Sequence, residues 1–208
     1  GMRLGPGQRI GAPSFKMEDV TALQTQLAGV VAVAPQVSKS VTLVANGRNW
    51  QTGITGTTSN YFTIDNRTFA DGRDFEESEE MAGSAVCVIG STIANELFGR
   101  TDGVVGELIR TGSFSCRVIG LLATKGSAAM GGDQDDVVIM PIKTVQRRLI
   151  GDTRVSSLLI LMDGNSDRER LKQAVKDLMR ERRSLSAGDD DNFQIMDTAE
   201  IAEKVAST

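Results

Sequence analysis

The run Val155 to Met162 limits the fold more than any other stretch of the chain. It is nearly continuous in apolar residues and of strand length, a composition suited to a strand buried on both faces, so other strands must flank it. The segment after it reads as a helix over Asp167 to Arg182, with Leu171, Val175 and Leu178 as its stripe and Ser166 and Glu169 at capping-box spacing. An acidic turn, Asp189 to Asp191, then precedes a last strand over Phe193 to Met196 and a short helix from about Thr198 to Ala206.

The other end of the chain offers the complementary pieces. Val20, Leu23 and Leu27 recur at helical spacing in Glu18 to Ala28, with Glu18 and Asp19 at the positive end of the helix and Lys16 or Ser14 in the capping region. Val37 to Val44 and Arg48 to Thr57 read as strands joined by Asn46-Gly47, the pair that tolerates positive φ at both central positions of a type I′ turn. Neither end holds enough strands for a stable sheet alone, so the two are expected to pair. With a first strand in or just before Met2 to Gly11, expected to be incomplete, they make two βαβ-like units in a split ferredoxin-like layout.

Between them, residues 59–151 change texture to short strands, frequent glycines and two short helices. Ser91 can cap the first, Ile93 and Leu97 share its inner face, and Gly99 can end it. Pro141 opens the second, which carries Ile142, Val145 and Leu149 and stops at Gly151. The fold class is therefore α+β, with a discontinuous outer domain of residues 1–58 and 152–208 and an inserted domain of residues 59–151. No stretch of about 18 apolar residues occurs that could span a bilayer.

Chemistry is scarce. The chain has no histidine, which removes the Ser-His-Asp and Cys-His constellations and the commonest metal ligand. A net charge of -4 argues against a nucleic-acid partner. The basic run Arg180 to Arg183 reads as a solvated helix end. Cys87 lies in the apolar run Ala85 to Ile89 with no basic neighbour to stabilise a thiolate, and Cys116 shares a face with Phe114 and Val118. The reading favours two separate buried thiols over a bridge. Asp133, Asp135 and Asp136 lack the spacing of a calcium loop, which leaves a strand-entry turn or a partner-facing loop. The stretch Thr124 to Gln134, which carries Lys125 and Met130, has no periodicity and is of the kind that is either functional or mobile. In ADGRDF, Gly72 suits a turn and Arg73 either a structural hydrogen bond or a partner contact. No catalytic, cofactor or metal residues are assigned; the candidate partner-binding residues are Arg73, Thr124, Lys125, Met130, Asp133, Gln134 and Asp135.

One series of motifs goes further. YFTI, ADGRDF, AVCVIGSTIANELFG, VVGELIRTG, FSCRVIGLLATKGS and GGDQDDVVIMP follow one another between Tyr61 and Pro141. In this order they resemble the extracytoplasmic domain of MacB-type ABC transporter permeases, the macrolide-exporter and lipoprotein-releasing superfamily, and the likeness extends from about Met17 to Val205. The resemblance implies a porter-like subdomain with an inserted small mixed α/β subdomain, held on the periplasmic face of the inner membrane by flanking transmembrane helices. It further implies a non-catalytic, mechanical role in efflux or export, relaying ATP-driven helix movement to substrate or to a periplasmic adaptor. Its partners would be that adaptor, an outer-membrane channel reached through it, a second permease protomer and a cytosolic ATPase domain. A lipoprotein-release permease, or a periplasmic solute-binding or sensor module, is the alternative.

Overall fold

The computed structural model describes residues 1–7, 13–126, 132–165 and 167–197. In chain order its elements are β1 (Met2–Pro6), α1 (Met17–Gln26), β2 (Val30–Ala45), β3 (Arg48–Thr57), α2 (Asn60–Ile64), β4 (Phe69–Gly72), α3 (Glu77–Ala82), β5 (Val86–Ile89), α4 (Ser91–Phe98), β6 (Leu108–Thr111), β7 (Phe114–Leu122), β8 (Val138–Pro141), α5 (Ile142–Val145), a π-helical turn (Gln146–Ile150), β9 (Ser157–Met162), α6 (Arg168–Arg182) and β10 (Phe193–Asp197). They divide into two compact units, Gly1–Gln36 with Arg154–Thr208, and Val37–Thr153.

In the first unit four strands pair antiparallel in the order β10, β1, β9 and the first part of β2. Numbered within the unit this is the 4-1-3-2 order of two βαβ pieces, as the sequence pattern leads one to expect. The apolar run is the inner strand β9, flanked by β1 and β2. The first strand, expected to be incomplete, is the five-residue β1, paired on both sides. Val20 and Leu23 of α1 and Leu171, Val175, Leu178 and Met179 of α6 are buried. Each such burial stabilises by about 1.5 to 3 kcal/mol. Lys16 is the N-cap residue of α1 but caps nothing with its side chain; the Asp19 carboxylate instead accepts the Lys16 N–H at 2.9 Å. At α6 the cap is Asp167, which accepts from Arg170 N–H; Ser166 and the short helix expected from about Thr198 lie outside the described residues.

The basic run at the end of α6 is exposed at Glu181 and Arg182, as expected of a solvated helix end, but its cations are also engaged. Arg182 bonds the Asp19 carboxylate at 2.7 Å, and Arg180 pairs with Asp191. Arg183 lies 4.3 Å from the Phe15 ring centroid and 5.6 Å from that of Phe193, and donates to Asn192 and Pro13. Here the cations clamp α6 to the segments flanking the sheet.

The domain boundary also differs from the expected one. β2 is a single sixteen-residue strand. Up to Gln36 it pairs with β9, and from Val37 onward with β3, whose other edge runs parallel to β8. The hairpin over residues 37–57 therefore belongs to the second unit rather than the first. Its turn is as expected: Asn46 and Gly47 have φ of 54° and 72°, and Ala45 pairs with Arg48.

The second unit contains more helix than its sequence texture suggests, since α2 and α3 form besides the two expected helices. Its strands run β2, β3, β8, β5, β7, β4, with parallel pairs at β3/β8 and β5/β7. β6 pairs with β7 and, at Val44 and Arg110, with β2, so the pairing returns to its start. Inside lie Ile54, Cys87, Ile89, Ile93, Leu97, Ile109 and Ile139, all at most 1% exposed.

Cys87 on β5 and Cys116 on β7 are not separate thiols. They form a disulfide with Cα atoms 5.8 Å apart. The parallel register, which sets Cys87 opposite Val118, brings Cys116 within reach two residues along β7. For a sequence separation of 29, closure of the unfolded loop contributes roughly 3 to 4 kcal/mol in the chain-entropy model. Replacing both residues by alanine should lower the stability of the chain in urea by that amount, and a loss under about 1 kcal/mol would show that the bridge adds little beyond packing.

Candidate functional site

β8 and the last part of β7, from Val118 to Leu122, are buried, and the segment linking them carries the candidate partner-binding residues other than Arg73. After β7 the chain is pinned by the Ala123 N–H, which donates to Thr68 C=O at 2.8 Å. Thr124 and Lys125 are then exposed. Met130 lies outside the described residues. On the return, Asp133 is exposed, Gln134 half-buried and Asp135 buried at 5% exposure.

Asp135 closes this segment at its base. One carboxylate oxygen accepts the Lys125 N–H at 2.8 Å and the other accepts the Gly126 N–H at 2.9 Å. The Gln134 N–H donates to Gly126 C=O at 3.0 Å. Two backbone donors for one buried carboxylate offset much of the cost of taking it out of water. The Asp135 C=O accepts the Thr92 N–H at 3.2 Å and passes so near Gly90 that a Cβ there would stand 2.1 Å from it. The segment is thus tied to the start of α4.

The neighbouring carboxylates face other donors. Asp133 accepts the Asp135 N–H at 2.9 Å and the Thr92 hydroxyl, and these bonds, the hydroxyl first, hold its carboxyl below the usual range. Asp136 accepts from Trp50 Nε1 at 2.9 Å and Thr52 Oγ1 at 2.8 Å. The three carboxylates thus serve as turn and strand-entry acceptors. Among the described residues no group of three or more His, Cys, Asp or Glu could hold a metal ion.

A second layer, which the sequence pattern does not reveal, supports the base. The Arg67 side chain is 5% exposed; its Nε bonds Asp65 Oδ2 at 2.9 Å and its Nη2 donates to Gln134 C=O at 2.8 Å. Lys125 Nζ donates to Asp65 C=O and lies 3.7 Å from its carboxylate. Tyr61 OH donates to the same carboxylate at 3.1 Å. The only trace of this in sequence is the spacing of Asp65 and Arg67 after YFTI, across Asn66 with its φ of 52°.

Arg73 is bound elsewhere. Its guanidinium pairs with Glu79 at 2.7 Å, which holds the Glu79 carboxyl below the usual range, and its backbone N–H donates to Ile119 C=O. Gly72 beside it has φ of 72° with Ile119 O where a Cβ would be. The ADGRDF turn therefore holds β4 to β7.

Comparison with known proteins places the chain in a family. The family profile of the MacB-like periplasmic core domain matches residues 2–178. A macrolide export ATP-binding/permease protein MacB of Bdellovibrio bacteriovorus is 32% identical over 195 residues, covering 93% of this chain and 30% of the relative. One of Chlorobium luteolum is 32% identical over 205 residues, 98% of this chain and 30% of the relative. The chain thus spans 30% of the length of these curated relatives. The periplasmic region of MacB from Actinobacillus actinomycetemcomitans superposes with a TM-score of 0.81 at 19% identity, covering 100% of this chain and 92% of that one. The extracellular domain of the noncanonic ABC-type transporter YknZ from Gram-positive bacteria gives 0.74 at 19% identity, covering 95% and 100%. These two likenesses show the fold.

The buried base of the segment has a titration signature. Burial first, then the Asp65 carboxylate, push the Tyr61 phenol up to about 12 from its ordinary 10.0. The folded state therefore keeps a proton that the unfolded state loses. The corresponding stability is complete below pH 10 and is lost as pH rises through about 12. Tyr61 is the single tyrosine, so phenolate absorbance reports it alone. That absorbance should rise near pH 12 in the folded chain; a midpoint near 10 with the fold intact would contradict the geometry described.

Proposed function

We propose a relay function for this chain, which belongs to the family of MacB-like periplasmic core domains of ABC permeases. In this reading movement of membrane helices, driven by an ATPase in another domain or chain, is passed through the domain to substrate or to a periplasmic adaptor. The curated relatives, named as ATP-binding/permease proteins and more than three times as long, support the presence of such parts in the whole transporter. A second permease protomer and, through the adaptor, an outer-membrane channel complete the proposed assembly. The paired outer elements would then be the porter-like part.

The observation that carries the reading is the closed base of the segment between β7 and β8. A relay transmits displacement only through elements that do not yield, and buried charge-assisted bonds at Asp135 and Arg67 stiffen the root of this one. The residues near it divide by role. Thr124, Lys125, Met130, Asp133 and Gln134 are proposed to meet the partner, and buried Asp135 to position them. Arg73 is proposed as a contact only through the exposed side of its guanidinium, both of whose terminal nitrogens already bond Glu79.

The experiment uses the full-length transporter. Lys125→Glu together with Asp133→Lys, which inverts the charge pattern of the exposed rim, should leave ATP hydrolysis within about twofold of wild type. Export should fall roughly tenfold, within the range of ordinary coupling free energies. A photo-reactive side chain at Gln134 should cross-link the adaptor in the wild-type background and lose that product in the double variant. Unchanged export with an unchanged cross-link would overturn this placement of the contact.

A further inference from the structure

The bridge between Cys87 and Cys116 sits where no reagent can reach it. Cys87 is 0% exposed and Cys116 1%, and the adjoining Val88, Ile89 and Val118 are at most 1% exposed. The loop that it closes contains α4, whose Ile93 and Leu97 are themselves at 0%, and β6, which pairs with Cys116 through Ile109. Thiol–disulfide exchange needs a thiolate to approach one sulfur atom directly, through a mixed disulfide with the attacking partner. Once β5, β7, α4 and β6 have packed, that approach is closed.

We infer that this domain is a client of a protein dithiol oxidase, which makes the bridge before the second unit closes, and that packing then seals it. The chemistry is a two-electron oxidation. The Cys87 or Cys116 thiolate attacks the oxidase disulfide to give a mixed disulfide and frees one oxidase thiolate. The other cysteine then attacks the protein sulfur of that mixed disulfide and releases the oxidase as a dithiol. The chain loses two protons and two electrons and gains one S–S bond, and the oxidase disulfide is reduced. Such an oxidant acts in extracytoplasmic compartments and is opposed in the cytosol, so the bridge points to the same side of the membrane as the family does, on separate grounds. The inference does not rest on the relay reading: a domain with no adaptor would still need the bridge made early.

Two measurements on the full-length transporter test it. Reduction of the bridge by dithiothreitol, followed by differential alkylation and peptide mass spectrometry of Cys87 and Cys116, should be at least roughly a thousandfold slower in the native protein than in urea, since it requires opening of the unit. A rate within about tenfold of the unfolded chain would overturn the sealed state and leave an exposed, switchable bond. In cells, an oxidase variant that lacks its second active-site cysteine should be trapped as a mixed disulfide with newly made transporter, through Cys87 or Cys116. Absence of that adduct, while a known exported substrate is trapped in the same cells, would overturn the client relationship.

Discussion

Asp135 makes three sets of contacts, one through its carboxylate and two through its backbone. It holds the N–H groups of Lys125 and Gly126, its own backbone oxygen holds Thr92 at the start of α4, and its N–H is held by Asp133. A buried carboxylate is tolerated only where its lone pairs are used, and an amide at 135, with one acceptor oxygen in place of two, would leave one of the two backbone donors without an acceptor. The close passage of Asp135 by Gly90 follows, because any Cβ at 90 would occupy the space of the Asp135 oxygen. Position 90 is glycine for this tertiary reason, and its φ needs none.

The disulfide and the Asp135 clasp act on the two ends of one strand. β7 takes β6 and then β4 on one side and β5 on the other. Its early half is tied to β5 through Cys116, and its exit is the segment that Asp135 closes. Strands of four residues, as β4, β5, β6 and β8 are, bury little each, so a covalent tie and a buried charge-assisted clasp supply what strand length does not. For the proposed mechanical role the consequence is that the segment leaves a strand held by both a covalent tie and a buried clasp.

Elements governed by local physics were legible in the sequence. The hairpin turn follows from positive φ at Asn46 and Gly47, and the ferredoxin-like order from the apolar run of β9 and the stripes of α1 and α6. The ordered motifs from YFTI to GGDQDDVVIMP pointed to the family that the comparison bears out. What was hidden depends on partners distant in the chain. The disulfide requires the parallel register of β5 on β7. The boundary at Val37 requires knowing that one continuous strand changes neighbours midway. Arg180 to Arg183 looked solvated because Asp19 and Phe15 stand far from them in sequence, while Asp191, just beyond the following turn, reads by pattern as part of a solvated acidic stretch. The candidate site was half visible: Lys125, Asp133, Gln134 and Asp135 do converge, Arg73 does not join them, and Asp65 and Arg67 beneath them gave no periodic or motif signal.

Amide hydrogen exchange at Lys125 and Gly126 tests most directly whether the segment is rooted through Asp135. Both N–H groups end on a buried carboxylate, so in the folded chain they should exchange as slowly as the amides of β7, and Asp135→Asn should free Gly126 or Lys125 while β7 stays protected. Exchange of both amides at the rate of an unstructured loop in the unaltered protein would contradict the account, because the segment would then have no rigid root from which to act on a partner.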